Sequence, residues 1–176
     1  MVHIYTGRGK GKTTAALGLA LRASGRNLRV IIFQFLKPGS VISGEELSVK
    51  RLKNVKLVKF NEVHPIFMRL EVSLKERHNE LKKAIKRDFE KAKKAVISKR
   101  YDLVILDEII NVVDQNFIGQ DNLLNLLRIA PRDVELVLTG RGDISGMEKY
   151  ADYVTIMVDK KHPFSKNVTA RKGIEY

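Results

Sequence analysis

Residues 4–16 read IYTGRGKGKTTAA, and the parsing of this stretch decides the fold. A β-type run ends at Tyr5, glycines follow at 7, 9 and 11, and Lys12-Thr13-Thr14 leads into AALGLALRA, a helical pattern. Strand, glycine loop and helix in that order make a phosphate cradle. Glycines let backbone N–H groups converge on phosphate oxygens, the helix N-terminus adds partial positive charge, Lys12 brings a mobile cation, and the Thr13 hydroxyl is a magnesium ligand type. The pattern G-x-x-x-x-G-K-[ST], anchored on Gly11, Lys12 and Thr13, asks for glycine at position 6; the chain has Thr6, with Gly7 one residue late. A dinucleotide fingerprint G-x-G-x-x-G would need glycine at 12 and meets Lys12, so it is excluded. A glycine-rich turn with incidental lysines is disfavoured by the position after a strand and before a helix.

Outward from this loop, short β-rich runs alternate with helical patterns. The runs are VHIY (2–5), RVIIFQF (29–35), VKLVKF (55–60), DLVILD (102–107), VELVL (134–138) and YVTIMV (153–158). Helices are expected near 11–24, 44–52, 72–98, 108–128 and 144–151. Several runs are apolar almost throughout, as strands covered by helices on both faces must be, and the spacers are long enough for crossovers. The expected fold is therefore α/β: one domain over 1–176, with a mostly parallel six-stranded sheet and helices on both faces. The tetrapeptide TGRG occurs at 6–9 and again at 139–142, each time just after a strand. Ligands of open α/β sheets bind beyond the carboxyl ends of the strands, so both copies are expected on one rim, facing one ligand.

A phosphate loop of this type needs a carboxylate at the end of a neighbouring strand to hold a metal. DLVILDE (102–108) supplies Asp107 and Glu108. Consecutive acids point in different directions, so one of them is expected to reach the metal. The competing role for either is to cap the helix that follows.

Composition narrows the function classes. The 176 residues hold 44% hydrophobic side chains and no cysteine, which excludes disulfides, thiolate metal sites and cysteine nucleophiles. No apolar run approaches the roughly 20 residues of a membrane span, the N-terminus has no signal-peptide layout, and the cytoplasm is the expected location. The chain carries 33 Lys plus Arg against 20 Asp plus Glu, a formal net charge of +13. Residues 75–100 alone hold 11 basic and 4 acidic side chains, so more than half the excess sits on one element. Leu81, Ile85, Phe89, Ala92 and Val96 recur there at helical steps, which makes this an amphipathic helix with a solvated charged face; a polyanion-binding surface is the alternative. His64 and His162 each precede a proline and are assigned no metal.

The order IYTGRGKGKTTAALGLALRASG, VIIFQFLKPG, SGEEL, LVILDE, LTGRG, ADYVTIM, KKHPF and terminal GIEY resembles that of the ATP:corrinoid adenosyltransferases, over most of the chain. KHPF and the closing GIE are the specific elements; a phosphate loop alone is shared by many ATPases and kinases. In that family the loop has this same shortened form, and Thr6 is the residue expected there.

The resemblance implies a RecA-like phosphate-loop fold that moves no phosphoryl group. The cobalt(I) of a reduced corrinoid attacks the 5′-carbon of ATP, which is bound in reversed orientation, and triphosphate leaves. It implies that Gly7, Arg8, Gly9, Lys10, Gly11, Lys12, Thr13 and Thr14 wrap the triphosphate, that Arg22 reaches the nucleotide, and that Thr13 and Glu108, with Asp107 beside them, hold Mg2+ or, in its place, Mn2+. ATP is co-substrate. The protein needs no catalytic nucleophile, since cobalt(I) is one already. Arg141, His162, Phe164 and Phe67 are assigned to the corrinoid side. A flavodoxin-like or flavin reductant and a homodimer are further implications; a membrane or nucleic-acid partner is not expected. The sequence departs from the family where a Gly-Phe-Thr-Trp segment usually follows the third strand: the chain has no tryptophan, residues 61–72 read NEVHPIFMRLEV, and Phe67 is the substitute. It also begins directly at the first strand, where some members carry a helix. The alternatives weighed are a RecA-like ATPase acting on nucleic acid and a small-molecule kinase.

Overall fold

The computed structural model describes residues 1–37, 42–60, 74–161 and 169–174. Six strands form one sheet: β1 (Val2–Thr6), β2 (Val30–Gln34), β3 (Val55–Lys59), β4 (Leu103–Asp107), β5 (Glu135–Thr139) and β6 (Tyr153–Ile156). All pairings are parallel, and the order across the sheet is β3-β2-β4-β5-β1-β6. This is the expected α/β architecture, and each of the six β-rich runs overlaps its strand; β1 and β5 extend one residue beyond their runs, to Thr6 and Thr139. The central strands β2 and β4 are buried at every residue, which accounts for their near-continuous apolar sequence.

Two apolar clusters cover the two faces. On one, α1 (Lys12–Ser24) presents Ala16, Ala20 and Ala23 to Val30, Ile32, Leu103, Ile105 and Val137, and Val49 of α2 (Gly44–Val49) joins them. Small side chains at steps of four and three let α1 lie close against the sheet. On the other face, α3 (Leu74–Ile97) buries Leu81, Ile85, Phe89, Ala92 and Val96 against Phe33, Val104 and Leu106, so the periodicity read over 75–100 marks a true packing face.

Two helical expectations need correction. The helix expected over 108–128 is two helices, α4 (Ile109–Asp114) and α5 (Gln120–Ile129). Asn116 between them adopts φ 58°, a left-handed conformation that ends α4, while Phe117 and Ile118 turn into the core at 1% exposure. Their burial kept the apolar pattern running through the break. The helix expected at 144–151 is a single 3-10 turn, Glu148–Tyr150.

The register explains where the site forms. Gln34 lies beside Asp107, and Tyr5 beside Thr139. Leu106 pairs with Leu138, which brings Asp107 next to Thr139. Gln34, Asp107, Thr139 and Tyr5 thus make one row across four adjacent strands at their carboxyl ends, facing the N-terminus of α1.

Candidate nucleotide site

Thr6 is the last residue of β1, 5% exposed, and its carbonyl accepts the Met157 N–H at 2.8 Å. A β-branched residue continues the strand here, and the loop opens at Gly7. Gly7 has φ 96°, and a Cβ at this position would overlap the Met157 carbonyl oxygen; a Cβ at Gly9 would stand 2.8 Å from the same oxygen. The Gly9 N–H donates to that carbonyl at 2.8 Å. The chain after β6 therefore presses against the loop, and only glycine fits at both contacts. The late glycine is a packing requirement of β6.

Lys12 opens α1. Its Nζ donates to the carbonyls of Gly7 at 2.7 Å and Gly9 at 2.6 Å, closing the loop on itself. Burial, then Arg141, hold its ammonium below the usual lysine range, against the pull of Glu108 and Asp107. An ammonium desolvated in this way is compensated when phosphate oxygens arrive.

Asp107, 1% exposed, ends β4. Its Oδ1 accepts from Thr13 Oγ1 at 2.8 Å and from Thr139 Oγ1 at 2.7 Å. Its Oδ2 accepts from Gln34 Nε2 at 3.3 Å and pairs with Lys37 Nζ at 3.1 Å. The Glu108 N–H donates to Thr139 Oγ1 at 2.9 Å. Glu108 itself sits at φ 63° between strand and helix, an uncommon conformation for a residue with a side chain. That turn sends the second acid away from the first and into a cavity of about 350 Å3 lined by residues 9–14 with Glu108, Asn111, Thr139, Gly140, Arg141 and Ile174. Burial, and then the neighbouring Asp107, push the Glu108 carboxyl up to about 7. Neither acid caps α4 through its side chain: Asp107 is engaged elsewhere, and Glu108 at the N-cap position makes no such bond.

The second TGRG meets the first as its repetition suggested. β5 lies beside β1, and the Gly140 N–H donates to the Tyr5 carbonyl at 3.2 Å. Asn111 of α4 accepts the Arg141 N–H at 2.8 Å, fixing the turn. Arg8 and Arg141, the two arginines of the repeats, line one further cavity with Thr6, Gly7, Gly142 and Ile156, and Arg141 borders the phosphate-loop cavity too. Arg22 is placed differently. It lies on the last turn of α1 in a groove with His3, Arg26, Glu135 and Tyr153, separate from the loop cavity. Phe67, His162 and Phe164, like His64, lie outside the described residues.

Sequence reasoning missed Thr139, Asn111, Gln34, Lys37 and Glu45. Thr139 opens the repeated tetrapeptide, and Lys37 and Glu45 fall inside VIIFQFLKPG and SGEEL, so those segments were noticed without their chemistry. Lys37 Nζ also pairs with Glu45 Oε1 at 3.2 Å, and Gln34 Nε2 donates to the same oxygen at 3.2 Å. Burial pushes the Lys37 ammonium down, but Asp107 and Glu45 together outweigh it and its pKa lies above the usual lysine value.

A glycine loop closing on a lysine, a threonine bonded to a strand-end aspartate and an all-parallel sheet define a phosphate-loop nucleotide-binding protein of the RecA-like type. The sequence profile described as ATP:corrinoid adenosyltransferase BtuR/CobO/CobP matches residues 1–176. The chain belongs to that family. It is 30% identical to the corrinoid adenosyltransferase of Escherichia coli K12, over all of this chain and 85% of that protein. The corrinoid adenosyltransferase of Pseudomonas aeruginosa is likewise 30% identical, over 98% of this chain and 82% of the relative. An uncharacterized protein of Nostoc, all2391, is 33% identical over 99% of this chain, which spans only 48% of its length.

Proposed function

We infer that this protein transfers the 5′-deoxyadenosyl group of ATP to the cobalt(I) of a reduced corrinoid, releasing triphosphate, within adenosylcobalamin formation. The observation that carries the reading is the cationic phosphate cavity built on a shortened loop, in a chain matched from end to end by this family. Lys12, the N–H groups of the loop and Arg141 are the groups that neutralise the triphosphate as its bond to C5′ breaks. Held in line with an incoming nucleophile, the nucleotide reacts without a protein nucleophile; the site supplies alignment and charge.

The side chains suit a magnesium ion carried by the nucleotide. Among the described residues no cluster of three or more His, Asp or Glu forms a self-sufficient metal site. The Thr13 O–H donates its hydrogen bond to Asp107, so its oxygen lone pairs remain for a cation, and Glu108 lines the same cavity. One hydroxyl, one carboxylate and phosphate oxygens are the hard donor set Mg2+ takes, with Mn2+ acceptable to the same donors. Bound there, the ion would offset charge on the departing triphosphate. Asp107, with all four acceptor positions filled, serves as the residue that orients Thr13.

The reading extends, on the family resemblance, to Arg22 as a nucleotide contact, to Phe67, His162 and Phe164 on the corrinoid side, with Arg141, which borders both the loop cavity and the adjoining one, between triphosphate and corrinoid, to a flavodoxin-like or flavin reductant, a homodimer and a cytoplasmic location. Among the described residues no helix is long and apolar enough to cross a membrane. Anaerobic incubation with chemically reduced cob(I)alamin and Mg-ATP tests the activity. A light-sensitive alkylcobalamin is expected, and its absence would sink the reading.

A further inference from the structure

The chain after β2 makes an unusual turn toward the nucleotide site. Leu36 adopts φ 54° yet is 4% exposed, so burial of its side chain holds a left-handed backbone that no glycine relieves. The Phe35 N–H donates to the Asp107 carbonyl at 3.1 Å, tying this turn to the end of β4. Lys37 follows directly, with its side chain 22% exposed and its Nζ between Asp107 Oδ2 at 3.1 Å and Glu45 Oε1 at 3.2 Å. Gln34 bridges the same two carboxylates through its Nε2, at 3.3 and 3.2 Å. Its Oε1 is buried with no hydrogen-bond partner. The amide gives up one acceptor so that both carboxylates receive a donor.

We propose that Lys37 is a positioning residue of the nucleotide site: by occupying Asp107 Oδ2 it keeps Asp107 as the acceptor of the Thr13 hydroxyl and leaves Glu108 as the carboxylate that serves the metal. This rests on the phosphate-loop reading of the site. A carboxylate offers about four acceptor positions, and Thr13, Thr139, Gln34 and Lys37 fill them. Three of these donors are neutral, and Lys37 is the one with a charge to match the aspartate. Lys12 spends two of its three donors on the carbonyls of Gly7 and Gly9, and Arg141 borders the cavity on the side of Glu108. Without Lys37, Oδ2 loses its charged partner and the aspartate is free to turn from Thr13 or to be drawn to the metal. Thr13 then loses the acceptor that aims its lone pairs. Glu45, on the first turn of α2, fixes Lys37 and Gln34 from the far side, so this short helix after β2 takes part in the nucleotide site without touching the loop.

A lysine that merely stabilised the fold would affect ATP binding with and without metal alike. The proposal requires the effect to be metal-specific. ATP binding is therefore measured by calorimetry in Mg2+ and in EDTA for the wild type, Lys37→Met, Lys37→Arg and Glu45→Gln, with thermal unfolding as the folding control. Lys37→Met is expected to raise the Kd at least tenfold in Mg2+ and less than twofold in EDTA, and Lys37→Arg to return the Mg2+ value to within about threefold of wild type. An equal loss in both conditions, or no loss in Mg2+, overturns the proposal. If Lys37→Met does not fold, Glu45→Gln decides: a loss of threefold or more confined to Mg2+ supports it, and any other result refutes it. A wild type that binds no ATP in Mg2+ would instead defeat the site reading itself.

Discussion

Asp107 and Glu108 are adjacent in the chain, and one left-handed residue gives them different tasks. Asp107 is locked by four donors, whereas Glu108 faces the loop cavity with its carboxyl pushed up to about 7 by burial and by Asp107. A folded pKa above the ordinary 4.5 means that the native state holds the proton more tightly than the unfolded chain. Stability from this group is therefore full at low pH, falls as pH rises through about 4.5 to 7, and is lost above that window, by roughly 3 kcal/mol. Glu108→Gln removes that loss. We expect it to raise the unfolding temperature of ligand-free protein at pH 8, with the gap closing near pH 4.5, while it weakens Mg2+-dependent activity. Asp107→Asn should do the reverse in stability, because an amide brings a donor among groups that already donate. In a metal titration Glu108→Gln should cost more than Asp107→Asn; the opposite order would move the metal contact to Asp107. At the loop, Lys12→Ala and Thr13→Ala should each lower turnover at least about tenfold with folding intact, since each removes an interaction with a charged ligand worth more than about 1.4 kcal/mol. Wild-type rates at saturating and subsaturating ATP would remove the loop from the site.

At the scale of elements, α1 carries two glycine questions with opposite answers. Gly18 lies in its exposed face, and a Cβ there meets nothing within 4 Å. Gly18→Ala should stabilise the protein by about 1 kcal/mol through helix propensity, leaving ATP binding unchanged. Gly7, just before α1, cannot take a Cβ without displacing the backbone at Met157. Gly7→Ala should therefore weaken ATP binding at least tenfold, and a melting curve beside a binding isotherm for each variant separates the two effects. The same elements show what sequence could and could not reveal. The central strands β2 and β4 were legible because they are buried on both faces and read as apolar runs, and α3 because its buried stripe keeps helical spacing. The break between α4 and α5 was not, because Phe117 and Ile118 continue the apolar pattern while only the backbone of Asn116 departs. Loop and acids were legible as motifs. The Gln34–Lys37–Glu45 group was not, since sheet register and a strained turn at Leu36 bring it to Asp107, and neither is written in local spacing.

For the molecule as a whole, the net charge of +13 and the adenosyl-transfer reading must be compatible, and the placement of the charge makes them so. The basic helix α3 packs on the sheet face opposite α1, and none of its described side chains lines the loop cavity. The cations of the candidate site are a separate set: Lys10 and Lys12 in the loop and Arg141 from the second repeat line the loop cavity, with Arg8 in the adjoining one. What leaves the site decides whether they serve transfer at C5′. Attack at that carbon places the developing charge on the α-phosphate oxygen, whereas phosphoryl transfer places it around the γ-phosphorus. The phosphate product should accordingly be intact triphosphate, stoichiometric with alkylcobalamin and formed only when reduced corrinoid is present. A hydrolase built on this loop would give ADP and orthophosphate, and a kinase ADP and a phosphorylated acceptor, so anion-exchange chromatography of one quenched reaction separates the three. ADP as the main product without corrinoid would overturn the transfer chemistry, and α3 would then be the first surface to test for nucleic-acid binding.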